Sequence, residues 1–187
     1  THSAIKLLRV LLDFEDFKEE AKSIIVDIEN RQKFFNIIQD GNLLLAYNLL
    51  DNSANLRDSE DGKRLQQLWK NDLNIANAHA ANGDVDGVKT VLEKYMKIKS
   101  KTIAISTVLS SCYIAQLEKS IKELKDKKNI EKGIKNYILY YGITEQLRSF
   151  FKTFKEKYSD TKLNPNSQTQ GSINSWRPSM IVKSILD

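Results

Sequence analysis

The sequence predicts an all-α protein in which antiparallel helix hairpins stack as a short α-solenoid, followed by a C-terminal docking segment. Three observations carry this. The first is a recurrence in residues 34–46 and 75–88. In each, an apolar-periodic stretch ends at a glycine (Gly41, Gly83), which is followed at once by Asn42 or Asp84 and a new apolar row. Glycine supplies the left-handed residue that closes one helix, and the Asn or Asp side chain caps the next. The glycines stand 42 residues apart, and a two-helix unit of that length must stack on neighbours to bury its apolar faces. The second is composition: 187 residues hold 2 Pro and 7 Gly, so helix breakers are scarce. The third is a three-and-four apolar spacing that persists as far as Tyr158, the mark of amphipathic helices.

Taken in order, residues 3–12 form an apolar helix with Ile5, Leu8 and Leu12 on one row and Leu7 and Leu11 beside it. From Asp16 to Asp40, Phe17, Ala21, Ile24, Ile25, Ile28, Phe35 and Ile38 define a long helix that Gly41 ends. Asn42 opens a partner helix with Leu45, Ala46, Leu49 and Leu50, and residues 51–62 read as its exit and a turn. A helix from about Lys63 carries Leu65, Leu68, Trp69, Leu73, Ile75, Ala76 and Ala80 inward and closes at Gly83; Asp84 opens its partner with Val85, Val88, Val91, Leu92 and Tyr95. Ser100 is the expected cap of a third long helix to about Lys127, with Ile103, Leu109, Tyr113, Leu117, Ile121 and Leu124 inward. Asn129, 45 residues beyond Asp84, is expected to open a third short helix, closed by Gly142, before Thr144 caps a last one through Phe150, Phe154 and Tyr158. Residues 1–158 are thus read as the helical repeat domain and 159–175 as a polar linker with too little apolar surface to order itself. Residues 176–187 are the apolar tail.

The repeated elements, Ala80, Gly83, Asp84, Val88, Val91 and Leu92 echoed by Gly41, Asn42, Ala46, Leu49 and Leu50, resemble tetratricopeptide-like (TPR-like) helical-hairpin repeats over residues 20–142. The chain departs from that family in its longer period, against the usual 34 residues, and lacks the first-helix aromatic pattern and the proline after the second helix. The resemblance implies recognition of a protein or peptide along a groove lined by the first helix of each pair.

Composition bounds the alternatives. Hydrophobic residues make up 41% and charged residues 28%, ordinary for a globular protein. The single cysteine, Cys112, excludes an internal disulfide and reads as a small buried hydrophobe. No run approaches the roughly 18 apolar residues of a membrane span, and no signal peptide is present. The chain starts at Thr1 rather than Met, so a piece of a longer protein is expected, cytoplasmic, with an upstream signal or anchor left open. The two histidines, His2 and His79, have no Cys or carboxylate at ligand spacing, and no phosphate-cradling loop, nucleophile elbow or paired-histidine zinc motif occurs. Neither an enzyme nor a cofactor or metal is expected.

A protein-interaction module or assembly scaffold is therefore the expected function. Its candidate partner-binding residues are Trp69, Tyr137, Tyr140 and Tyr141, because aromatic side chains in pockets anchor interfaces. In the tail, Trp176, Met180, Ile181 and Ile185 are expected to gather on one side of a short helix beginning near Pro178 and to dock in a groove of this chain or of a second copy. The alternative is a helical nucleic-acid-binding or regulatory domain. It would use the basic stretch 119–135, where Lys122, Lys125, Lys128, Lys132 and Lys135 are the candidates and seven lysines face three acids. Nucleic acid is the less favoured partner, because no Arg or aromatic group for base contacts is interleaved with these lysines.

Overall fold

The computed structural model describes residues 2–180, which contain nine α-helices and no strand. Two compact units divide the chain, Thr1–Leu68 and Trp69–Asp187.

In the first unit, α1 (His2–Leu11) turns through Glu15–Phe17 and packs along α2 (Lys18–Gln39), which in turn meets α3 (Leu43–Asn52) and α4 (Ala54–Asp58). Ala21, Ile25, Phe34, Ile37, Ala46, Tyr47, Leu50, Leu56 and Leu65 form its core. The Tyr47 hydroxyl, fully buried, donates to the Leu65 carbonyl at 2.7 Å, as a hydroxyl removed from water must find a partner. Residues 51–62 are more ordered than the turn expected there. Ser53 accepts from Leu56 N–H to start α4, and Ser59 accepts from Gly62 N–H to start α5 (Glu60–Ala81) three residues before Lys63.

The second unit continues α5 into α6 (Val85–Leu92), then α7 (Thr102–Lys122), α8 (Lys127–Tyr141) and α9 (Glu145–Lys157). Helix α7 is its axis: α6, α8, α9 and the turn Ile173–Ser175 all pack on it. It buries Ile105, Val108, Leu109, Cys112, Tyr113, Ile114, Leu117 and Ile121, a spread of positions too wide for one stripe and expected of a helix enclosed by neighbours. Serines among them let the neighbours approach. Ser110 donates to Thr107 O and Ser120 to Gln116 O, so these hydroxyls are satisfied inside their own helix. Ile103 and Leu124, expected inward, are exposed, because they sit at the two ends of α7 beyond the covering helices. Ser100 lies in a turn of 3-10 helix and does not cap α7.

One turn recurs three times. After α2, Gly41 is left-handed (φ +70°) and Asn42 N–H reaches back to Ile37 O. After α5, Gly83 takes φ +68° and Asp84 N–H reaches His79 O. After α7, Leu124 takes φ +56° and Lys125 N–H reaches Ser120 O. Each is the same helix-closing hydrogen-bond pattern, and Asn42, Asp84 and Asp126 then accept from Leu45, Gly87 and Lys128 N–H to cap the following helix. The third cap is therefore Asp126, not Asn129, which lies inside α8. The three caps are spaced by 42 residues each. The third turn escapes notice in the sequence because a leucine stands at its left-handed position.

Residues 159–175 do not behave as the self-solvating linker their composition suggests. Lys127 Nζ lies 2.8 Å from Asp160, Thr161 donates to Glu131 at 2.6 Å, and Leu163 is buried. Gly171 N–H donates to the α8 carbonyl of Ile138 at 2.9 Å. The contact is backbone on backbone: a Cβ on Gly171 would overlap the Leu139 carbonyl oxygen, and one on Gly142 (φ +74°) would meet Gly171 O at 2.5 Å. Polar bonds and a glycine-on-glycine approach, together with the buried Leu163, hold the segment. It delivers Trp176 into the second unit with its side chain fully buried. The tail continues in a 3-10 turn, Pro178–Met180, with Met180 half-buried; Ile181 and Ile185 lie outside the described residues.

Gly171→Ala is expected to destabilise the second unit more than Gly41→Ala destabilises the first. The Gly41 change meets open space and costs only its left-handed backbone, about 1 kcal/mol. Urea unfolding of both variants checks this order. Trp176→Ala is expected to cost about 3–5 kcal/mol, the range for truncating a buried tryptophan, read as a lower denaturation midpoint.

Candidate partner-binding surface

Trp69, Asp72 and Ile75 lie three residues apart on α5, so they step round the helix by about 60° each, from the edge of the buried row at Trp69 to the exposed Ile75. Across from them, the end of α6 and the turn Glu93–Tyr95 supply Val91, Lys94 and Tyr95. Trp69 and Tyr95 meet edge-on with centroids 4.8 Å apart. The Tyr95 hydroxyl donates to Asp72 at 2.6 Å, and Lys94 Nζ lies 2.8 Å from the same carboxylate. Lys101 stands over the Trp69 ring at 5.1 Å from the centroid, within cation–π reach. Burial is the largest influence on the Asp72 carboxyl and would raise its pKa, but the hydrogen bonds from Lys94 and Tyr95 and the Lys94 charge together hold it below its usual value.

Beside this cluster, Asp72, Ile75, Thr90, Val91, Glu93 and Lys94 line a shallow hollow of about 510 Å³. A second, of about 550 Å³, shares Thr90 and Glu93 and is bounded by Met96 and by Pro178 of the tail turn. Ile75 is 48% exposed, an apolar floor with acidic and basic groups at its rim. The arrangement suits an aliphatic or aromatic side chain of a peptide set between charged flanks.

Of the aromatic candidates, Trp69 is half-buried and belongs to this surface. Tyr137 and Tyr141 do not line a surface: both are core residues of α8, because their side of the helix faces α7. The Tyr137 hydroxyl shares a 2.7 Å hydrogen bond with Thr144, the cap of α9. Burial pushes both phenols upward, and the neighbouring Tyr113 and Tyr137 add to the effect on Tyr141. Tyr140 is half-buried, its ring edge-on to Tyr141 at 6.3 Å. Trp176 packs in the same region, its indole N–H facing the Tyr141 hydroxyl without completing a hydrogen bond. Cys112 is buried beside Tyr141, and burial, with the charge of Asp84, raises its thiol to about 12, far from the lowered value that reactivity needs.

Lys122, Lys125, Lys128, Lys132 and Lys135 are exposed, but the stretch is threaded with acids. Glu123 pairs with Lys119 and Lys125, and Lys127 with both Glu131 and Asp160. His79 sits at the α5–α6 turn, its Nδ1 2.7 Å from Asp84 Oδ2. The Gly87 N–H, and then His79, hold the Asp84 carboxyl below its usual value. Among the described residues no three His, Cys, Asp or Glu side chains converge on a metal-sized site, and no helix is long and apolar enough to cross a membrane.

Asp72, Lys94 and Lys101 are the members of this surface that sequence reasoning overlooked, and Ile75 was assigned to the core. One signal was available. At 100° per residue, Ile75 falls well away from the row of Leu65, Trp69, Ala76 and Ala80. No protein-family model, curated protein or solved structure matches the chain.

The Asp72 carboxyl is expected to titrate below its ordinary 3.8. Its folded pKa being depressed, the stability it lends is complete above the unfolded value and drains as pH falls through the folded one. A carboxyl NMR titration checks this: the Asp72 midpoint should rise toward the ordinary value in Lys94→Met.

Proposed function

We propose that the chain is a protein-interaction module or assembly scaffold of TPR-like helix hairpins, and that it holds a peptide or partner helix along the outer side of α5 and α6. Binding rather than catalysis is its role. The observation that carries the reading is the Trp69–Tyr95–Asp72–Lys94–Lys101 cluster beside an exposed Ile75. A tryptophan held in place by an aromatic edge and a lysine loses little freedom when a partner packs on it, which is the character of an interface anchor. Asp72 and Lys94 neutralise each other at the rim, so the surface favours a partner with an apolar centre and mixed charge over a polyanion. The closing turns that recur through Asn42, Asp84 and Asp126 support the hairpin-repeat reading. The reading as a nucleic-acid-binding domain loses support from the acids that pair with the lysines of residues 119–135.

Selection from a displayed library of random peptides tests this. Selected peptides should carry one large apolar residue, and Trp69→Ala or Ile75→Glu should weaken them by about tenfold or more, while Leu139→Glu on α8 leaves them bound. Affinities indifferent to Ile75→Glu would remove the assignment.

A further inference from the structure

Helix α2 carries a second apolar row that its own unit leaves uncovered. Phe17 at its N-cap, Ile24, Ile28 and Phe35 fall within a narrow arc of the helix, bordered on one side by the buried Ala21 and Ile25 and well away from the buried Phe34 and Ile37. Phe17 is 53%, Ile24 40% and Phe35 41% exposed, and Ile28 is half-buried. The row is symmetric in spacing and in kind: Phe, Ile, Ile and Phe stand seven, four and seven residues apart, centred on position 26. We infer that this face binds the same face of a second copy of the chain, with the two α2 helices antiparallel.

A two-fold pairing requires that residue i meet j while j meets i. Centred on residue 26, antiparallel α2 helices set Phe17 against the partner copy's Phe35 and Ile24 against its Ile28, over about 27 Å of helix. The charges agree with this register. Arg31 mirrors position 21 and comes beside the other copy's Glu20, twice per pair, on the flank where Asp27 already holds the Arg31 guanidinium at 2.9 Å. Shape agrees too: α1 has 10 residues against 22 in α2, so it flanks only the first part of α2, and an antiparallel copy brings its own α1 beside the remainder. The four apolar side chains offer roughly 300 Å² per copy, less than half of the ~800 Å² per partner in a standard interface. A reversible dimer follows, not an obligate one.

Sedimentation velocity of the 187-residue chain should show the mass rising from monomer to dimer between about 1 and 200 µM. Ile24→Lys should hold it at monomer with an unchanged helical circular dichroism signal. Glu20→Arg and Arg31→Glu should each weaken the dimer severalfold, and the two together should restore it. In a Cys112→Ala background, a mixture of Phe17→Cys and Phe35→Cys chains should form a mixed disulfide between unlike chains, in preference to either like pair. A monomer at every concentration, a dimer indifferent to Ile24→Lys, or a dominant Phe17→Cys like pair would overturn the inference.

Discussion

The second unit depends on enclosing α7. A helix that is apolar on several sides has no stable place at a surface, so the second unit must supply cover from as many directions as α7 has apolar faces. Helices α6, α8 and α9 cover it along its length, and the segment after α9 returns to close what remains, through the turn at Ile173–Ser175 and the Trp176 ring. The serines on α7 belong to the same constraint. They are small enough to admit neighbours closely, and Ser110 and Ser120 bond within their own helix, so enclosure leaves those two hydroxyls satisfied.

That enclosure fixes the outer surface as well. With α7 occupying the inner side of α6, Thr90 and Glu93 are left facing outward, and Val91 of α6 and Ile75 of α5 line the same hollow. Gln116 of α7 donates to Gly83 O at 3.0 Å, tying the α5–α6 turn to the axis helix. The two partners that frame the hollow are thus held by the core, and the ion pair of Asp72 with Lys94 then fixes the rim. A rigid frame around an exposed isoleucine is what the proposed peptide binding needs to keep its cost of ordering low.

The helices were legible in the sequence because their signals are local. Gly41 with Asn42 and Gly83 with Asp84 announce two of the three closing turns through residue chemistry alone. The third was hidden by Leu124, whose left-handed backbone is set by the hydrogen bonds of the α7 end and not by residue type. Burial was less legible. Tyr137 and Tyr141 could not be told from exposed anchors, since which side of α8 packs on α7 is decided only on folding. The order in residues 159–175 rests on Gly171 meeting Ile138, 33 positions away, and on Lys127 meeting Asp160. Neither leaves a periodic trace. The ring, ion pair and hollow around Trp69 were missed for the same reason, because Asp72, Lys94 and Lys101 become neighbours only after folding.

Burial of Trp176 also sets a timetable for synthesis. A polypeptide leaves the ribosome N-terminus first, so α7 emerges well before the residue that closes its last open side. Through the interval in which α8, α9 and the returning segment are being made, the second unit has an unfinished wall and Tyr141 and Cys112 lack their final cover. Closure of this unit therefore waits for position 176, and a nascent chain halted anywhere before it presents chaperones and proteases with an open helical body.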